Sequence, residues 1–338
     1  SVPFGGSYRM VDFILSDMVN AGIRDVGVIM HGRCQSMMDH LRSGKSWDLS
    51  RSFGGLTLLP VFAYNNARGD GRFRGKLEAL DVVKEYLHHI RQDYVVLADS
   101  DVALNIDLKA VLQAHLDTGA DVTAVCAPST GDGLYLNMDA SGRVQEVVEE
   151  QHKGFRCLQI FLLRKELLLA LVERFVSRNE YSFQEYVLQG LAKELHIHGY
   201  VFGGFAAHIT DVAGYYASSM QLLDPAVRQD LFCPDRPIYA KENDAASTYM
   251  DPHGGCVNSL VDDGCDIQGS VNGSIISRGV RVEKGAVVDG CILFKDTVVG
   301  KDAVLRHVIA DKNVKVGSGV HLEGTEKYPM VLSKGAEV

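Results

Sequence analysis

The stretch GVRVEKGAVVDGCILFKDTVVGKDAVLRHVIADKNVKVGSGVHLEG, residues 279–324, decides the fold. Starting just before it, Ile276, Val282, Val288 and Phe294 fall six residues apart. Val299 and Leu305 continue the period after a slip of one, and Val316 and Leu322 resume it. Small or branched residues stand two positions before most of these: Val280, Ala286, Ile292, Ala303, Val314 and Val320. A six-residue period carried by such residues predicts a parallel β-helix, in which each hexad makes one flat face and three faces close a coil. An antiparallel sheet alternates with a period of two and does not hold a period of six. The open ends of stacked coils often join subunits.

Upstream of the repeat, the pattern is irregular between about 217 and 256 and holds Pro225, Pro234, Pro237 and Pro252. Within it, CPDRPIYAKEND (233–244) reads as an extended linker. The chain is therefore expected to comprise an α/β domain over 1–232, a linker over 233–256 and the β-helix over 257–338. In the first domain, residues 7–22 place Met10, Val11, Ile14, Met18 and Val19 at helical spacing. DVGVIM (25–30) reads as a buried strand and 34–43 as a helix. A helix over 75–90 leads into the strand YVVLADSD (94–101), which ends in acids. A helix over 108–119, closed by glycine, leads into the strand DVTAVCAP (121–128). This alternation predicts a mostly parallel, Rossmann-like sheet with helices on both faces. Ligands of such sheets sit beyond the carboxyl ends of the strands, where the acids after YVVLA stand. The alternation opens on a loop, SVPFGGSYR, where a Rossmann-like sheet opens on a strand; a first strand and nucleotide loop are expected ahead of it. Similar interruptions are expected near 129–134 and 151–157.

With 338 residues the chain can build two cores. A net charge of -9 argues against a general nucleic-acid binder while leaving room for a local basic pocket for phosphates. No apolar run approaches a membrane span, and no signal-peptide pattern is seen. The seven cysteines are odd in number and scattered, which fits reduced thiols in a cytoplasm. His253, Cys256 and Cys265 match no paired zinc spacing. SGKSW (43–47) looks like the tail of a P-loop, but the glycine required five residues before its Gly-Lys is Asp39.

An α/β domain followed by hexad repeats suggests the sugar nucleotidyltransferases, and the motifs sharpen this. VPFGGSYRMVDFILSDMVNAGI (2–23), MMDHLRSGKSWDL (37–49), YVVLADSDVALNID (94–107), HITDVAGYYASSMQLLD (208–224) and VIADKNVKVGSGV (308–320) together resemble the ADP-glucose pyrophosphorylases (glucose-1-phosphate adenylyltransferases) of bacteria. The resemblance covers nearly the whole chain. It implies a GT-A-like nucleotidyltransferase domain followed by a left-handed β-helix. It also implies the family reaction, in which the phosphate of glucose 1-phosphate attacks the α-phosphorus of ATP and pyrophosphate leaves. Such a site gathers backbone N–H donors, basic side chains and Mg²⁺ on carboxylates. The family's two metal-holding aspartates map to Asp99 and Asp211. The arginine of FGGxxR, near the family's sugar-phosphate effector site, maps to Arg9, beside Tyr8.

Elsewhere the family pattern decays. The W-Y-[RQ]-G-T-A-D segment stands here as RFRGKLE (72–78), which keeps Arg74 and Gly75 but carries Arg72, Lys76 and Glu78 in place of Trp, Thr and Asp. Arg72, Arg74 and Lys76 form either an anion pocket or a solvated loop. In VVEEQ (147–151), Glu150 takes the place of the lysine that contacts the sugar phosphate, and a carboxylate there repels that substrate. Gln159 in CLQIF (157–161) replaces a glycine. YSFQEY (181–186) lacks an aspartate and a lysine of the family pattern, and Tyr215 or Tyr216 stands for a small hydroxyl residue. Losses of this kind cost several kcal/mol each, at about 1.36 kcal/mol per tenfold in rate. They predict activity near background, a pattern that resembles the GlgD-type regulatory branch of Gram-positive bacteria. That resemblance implies assembly with a catalytic ADP-glucose pyrophosphorylase subunit, a possible homo-oligomer and a sugar-phosphate effector. Two other readings stand beside it. One is a working adenylyltransferase using Mg²⁺. The other is a hexapeptide acyltransferase, for which His307 and His321 are the candidate bases. Plainer roles stand beside each site as well: a strand-end turn for Asp99, a helix cap for Asp211 and a helix-start ion pair for Arg9.

Overall fold

A computed structural model describes residues 2–32, 34–51, 53–61, 73–149, 153–241 and 245–338. In chain order the elements begin β1 (Pro3–Phe4), β2 (Tyr8–Arg9), α1 (Met10–Asn20), β3 (Asp25–His31), α2 (Gln35–Leu41), β4 (Gly55–Val61), α3 (Lys76–Val82) and α4 (Lys84–His89). They continue β5 (Tyr94–Ala98), β6 (Val102–Ala103), α5 (Leu108–Thr118), β7 (Val122–Thr130), β8 (Tyr135–Met138), β9 (Val144–Val148) and β10 (Lys153–Arg164). Next come α6 (Lys165–Val176), β11 (Ile197–Val201), β12 (Ala207–His208), α7 (Val212–Gln221) and α8 (Pro225–Leu231). The chain divides into two compact units. A sheet unit holds Leu15–Asp99 and Ile106–Gly204, and a solenoid unit holds Ser1–Ile14, Ser100–Asn105 and Phe205–Val338.

In the sheet unit the strand order is β11-β7-β10-β8-β9, and β5 also pairs with β10. β11 runs parallel to β7, but β10 is antiparallel to β5, β7 and β8. The expected mostly parallel sheet is thus corrected to a mixed one. β5 and β7 share one direction because the crossover through α5 joins them, whereas β8, β9 and β10 follow one another without a helical crossover. β3 and β4 form a separate parallel pair. Val122, Ala124, Phe161, Leu163, Leu168 and Phe183 anchor one core. Near 129–134, β7 runs to Thr130, and the Tyr135 hydroxyl donates to the carbonyl of Gly131 at 2.7 Å. From Lys153 the chain is paired strand; residues 151 and 152 lie outside the described residues. α5 is bounded as its sequence predicts: Asp107 accepts from the N–H of Lys109 at 2.9 Å, and Gly119 closes the helix at φ 59°. The helix expected over 75–90 is two helices that break at Val83. The P-loop-like stretch is a single tight turn, Lys45–Trp47, that buries Trp47.

The solenoid consists of three parallel five-stranded sheets closing a left-handed β-helix. Ile275, Ile292 and Ile309 stand in register, 17 residues apart, so each of these two coils is two hexads and a pentad, whereas Leu260 to Ile275 spans 15 residues and Ile309 to Val331 spans 22. This explains the slip and corrects two assignments. The inward column is Ile276, Val282, Val288, Leu293, Val299, Leu305, Ala310 and Val316, with Cys291 two before Leu293. Phe294 and Ile292 instead join a second cluster with Phe4, Phe13, Tyr215 and Tyr216. Corner residues take left-handed backbone and are mostly Gly, Asn or Asp, among them Gly279, Gly285, Asp296, Asp302 and Asn313; His307, at φ 49°, is an exception. The irregular reading of 217–256 is also corrected, because α7 runs to Gln221 and α8 follows. Pro225, one of the four prolines of that stretch, sits in the first turn of α8, where its missing N–H costs nothing, and Asp224 caps that helix at the N–H of Ala226.

Candidate functional site

Asp99 follows β5, at the strand end where a ligand site is expected, and Lys76 opens α3. The Lys76 Nζ lies 3.0 Å from the Asp99 carboxylate and 5.1 Å from the centroid of Phe161. The carboxylate read as a metal ligand is thus neutralised by the chain's own ammonium. Gly75 has backbone any residue can adopt, but a Cβ there would stand 2.2 Å from the carbonyl oxygen of Tyr181. That close approach lets the N–H of Leu77 donate to the same oxygen at 3.0 Å. The Arg74 guanidinium carbon lies over the Tyr181 ring, 3.7 Å from its centroid, and its Nη2 is 2.6 Å from Glu78. Partial burial pushes the Glu78 carboxyl up, but the side-chain and backbone hydrogen bonds from Arg74, with its charge, hold it below the usual range. The basic loop is therefore resolved in part: Arg74 and Lys76 each face a carboxylate. Arg72 and Glu150 lie outside the described residues.

Gln159 interrupts β10. It has φ 60°, where the family pattern has glycine, and it lies in the register shift between Cys157 and Phe161. It is buried, and its Oε1 accepts from the Gln184 side-chain amide at 2.8 Å. Sequence reasoning singled out both segments but missed this bond, because 25 residues separate the partners and neither side chain carries a charge that would signal pairing.

In the solenoid unit, Asp211 caps α7, its Oδ1 accepting from the N–H of Gly214 at 2.6 Å. The hydroxyl of Tyr215 donates to the Pro3 carbonyl at 2.9 Å. The hydroxyl of Tyr216 lies 2.6 Å from the Gly290 carbonyl and 2.8 Å from His307 Nδ1. His307, weighed as an acyltransfer base, is thus tied to a buried tyrosine of its own chain. Tyr8 packs on Phe232 with ring centroids 5.1 Å apart. Burial raises the Tyr8 phenol pKa, and the charges of Asp12 and Asp262 add to that. The Arg9 N–H donates to Asp12 at 2.8 Å, and the charge of Arg9 acts on Lys312 of the β-helix.

The family's Mg²⁺ requires carboxylates open to a divalent ion. Asp99 faces Lys76, and Asp211 is engaged as a helix cap. Among the described residues no group of three His, Cys, Asp or Glu side chains is placed to hold a metal. The residues present therefore do not fit the ion as the family pattern would use it. Among the described residues, no helix is long and apolar enough to cross a membrane.

The mixed sheet, the strand-end acid and the 17-residue coils define a nucleotidyltransferase-type domain joined to a hexapeptide solenoid. Comparison agrees: the nucleotidyl transferase family profile matches residues 1–213, and the GlmU-like C-terminal hexapeptide profile matches 245–327. The chain belongs to the ADP-glucose pyrophosphorylase family and falls with its GlgD members. It is 36% identical over 336 residues to the glycogen biosynthesis protein GlgD of Bacillus subtilis (strain 168), covering 99% of this chain and 89% of that protein. It is also 36% identical over 337 residues to GlgD of Geobacillus stearothermophilus, with the same coverage. A glucose-1-phosphate adenylyltransferase of Fervidobacterium nodosum is 26% identical over 94% of this chain and 79% of its own length.

Proposed function

We propose that this chain is a non-catalytic subunit of ADP-glucose pyrophosphorylase that acts in glycogen biosynthesis. It assembles with the catalytic glucose-1-phosphate adenylyltransferase subunit and modulates it. The observation that carries this reading is the Lys76 ammonium on Asp99. A metal-holding aspartate must be open to a divalent cation and to phosphate oxygens, and here a fixed monovalent cation takes that place. The Gln159–Gln184 bond supports the reading, because two positions that differ from the family pattern are now bonded to each other. The names of the GlgD relatives agree with the process. In this reading Arg9 and Tyr8 take part in answering a sugar-phosphate effector, and the protein works in the cytoplasm.

The test is ADP-glucose synthesis by the purified protein, alone and mixed with the catalytic subunit of the same organism. The expected result is background turnover alone and a changed rate or effector response in the mixture, with a heavier complex by native mass spectrometry. Robust Mg²⁺-dependent turnover by the protein alone would establish the alternative, an active adenylyltransferase.

A further inference from the structure

Cys126 on β7 and Cys157 on β10 stand directly opposite each other in the antiparallel ladder. Opposed residues of such a ladder point to the same face, and both thiols belong to the core of the sheet unit, at 0% and 1% exposure. The backbone hydrogen bonds fix the kind of pair they form. Cys157 turns its N–H away from β7, to the Leu134 carbonyl at 2.8 Å. The Cys126 carbonyl turns away from β10 and accepts from the N–H of Phe202 at 2.7 Å. Cys126 and Cys157 therefore exchange no backbone bonds, and theirs is the close type of antiparallel pair, with Cα atoms about 4.5 Å apart. That separation falls within the range of about 4.4–6.8 Å that a disulfide spans. Both thiols are free, and among the described residues no other two cysteines stand opposite each other in a ladder. The Cys126 thiol now donates to the Tyr200 carbonyl at 3.5 Å, so it must rotate about χ1 to reach Cys157.

The ladder is interrupted immediately after Cys157, where the register shifts before Phe161 and Gln159 takes φ 60°. A strand with lost ladder bonds opens at lower cost than a continuous one. Burial works against reaction. It pushes the Cys126 thiol up to about 12 and the Cys157 thiol to about 11, where the Gln159 N–H and the charge of Lys76 pull the latter back against the charge of Asp99. Thiolate is scarce in the closed sheet, so oxidation is slow and follows opening of β10. Cys157 adjoins the interruption and keeps the lower pKa, so it reacts first.

We propose that Cys126 and Cys157 are an oxidative modification site, a dithiol that hydrogen peroxide closes into a cross-strand disulfide, bracing β10 against β7 beside the Gln159 bulge. Peroxide transfers one oxygen to the Cys157 sulfur, giving a sulfenic acid and a first water. The Cys126 sulfur then attacks that sulfur. The S–S bond forms, the S–O bond breaks, and the hydroxyl leaves with the Cys126 proton as a second water. The two thiols lose a pair of electrons and the peroxide O–O bond takes them up. A dithiol reductant reverses the step by exchange.

The test is peroxide treatment of the folded full chain, alkylation of the remaining thiols and non-reducing peptide mapping by mass spectrometry. The expected product is the Cys126–Cys157 cross-linked peptide, which dithiothreitol removes. Urea below the unfolding transition should speed its formation several-fold. In Cys126→Ala, Cys157 should stop at the sulfenic acid and be trapped by dimedone. The oxidised chain should melt higher than the reduced one, and amide exchange over 157–161 should slow several-fold. Recovery of both residues as thiols while the exposed Cys256 is oxidised would overturn the site. Cross-linking only in fully unfolded protein, or equal linkage of Cys126 to other cysteines, would overturn it as well, by showing random pairing. An oxidised chain that melts lower, with faster exchange over 157–161, would overturn the brace.

Discussion

At the scale of single residues, two positions that depart from the family pattern are engaged with one another. Gln159 illustrates the cost and its compensation. A non-glycine residue in the left-handed region costs about 1–2 kcal/mol, while a buried amide bond contributes about 1 kcal/mol. Gln159→Gly removes the strain and the bond together, so its net effect on stability should stay below about 1 kcal/mol. Gln184→Ala keeps the strain and strands a buried amide, and should cost about 1–3 kcal/mol. Urea unfolding of both variants decides the matter; a larger loss for Gln159→Gly than for Gln184→Ala would show that the strain is illusory. The sequence exposed Gln159 only as a departure from a glycine. That the residue keeps the glycine's φ, and what holds it there, depended on Gln184, which no local pattern links to it.

At the scale of elements, caps and corners were more legible than sheet direction. Asp211 shows how one residue supports two readings until geometry is available. As a cap, Asp211→Ala should cost about 1 kcal/mol, and Asp211→Asn should keep most of that, since asparagine caps as well as aspartate does. Thermal melts that fall equally for Ala and Asn would instead point to a need for the negative charge. The solenoid period was plain in the sequence because each coil repeats the same burial. The pentad was visible only as a slip, because Leu293 and Phe294 are adjacent apolar residues and either could face inward. The direction of β10 was not legible at all. Strand patterns read the same in both directions, and only the route of β8 and β9 turns β10 against its neighbours.

At the scale of the whole molecule, the positions that depart from the family pattern are several, so on the proposed reading no single reversion should raise turnover above background. Lys76→Thr should free Asp99 and raise Mn²⁺ affinity in a relaxation titration, an increase that Asp99→Asn cancels. Turnover should nonetheless stay near background, because each remaining defect of about 1.36 kcal/mol is worth another factor of ten. Recovery of substantial turnover by that one change would mean that Lys76 alone silences the site. The sequence by itself determined the family, the α/β domain, the solenoid and the list of altered positions, because periodic burial and short motifs are local properties of the chain. Only the tertiary structure decided what the altered residues do. The Lys76–Asp99 ion pair and the Gln159–Gln184 bond join residues 23 and 25 positions apart, and charge and hydrogen-bond complementarity act through distance in space, to which sequence spacing is blind.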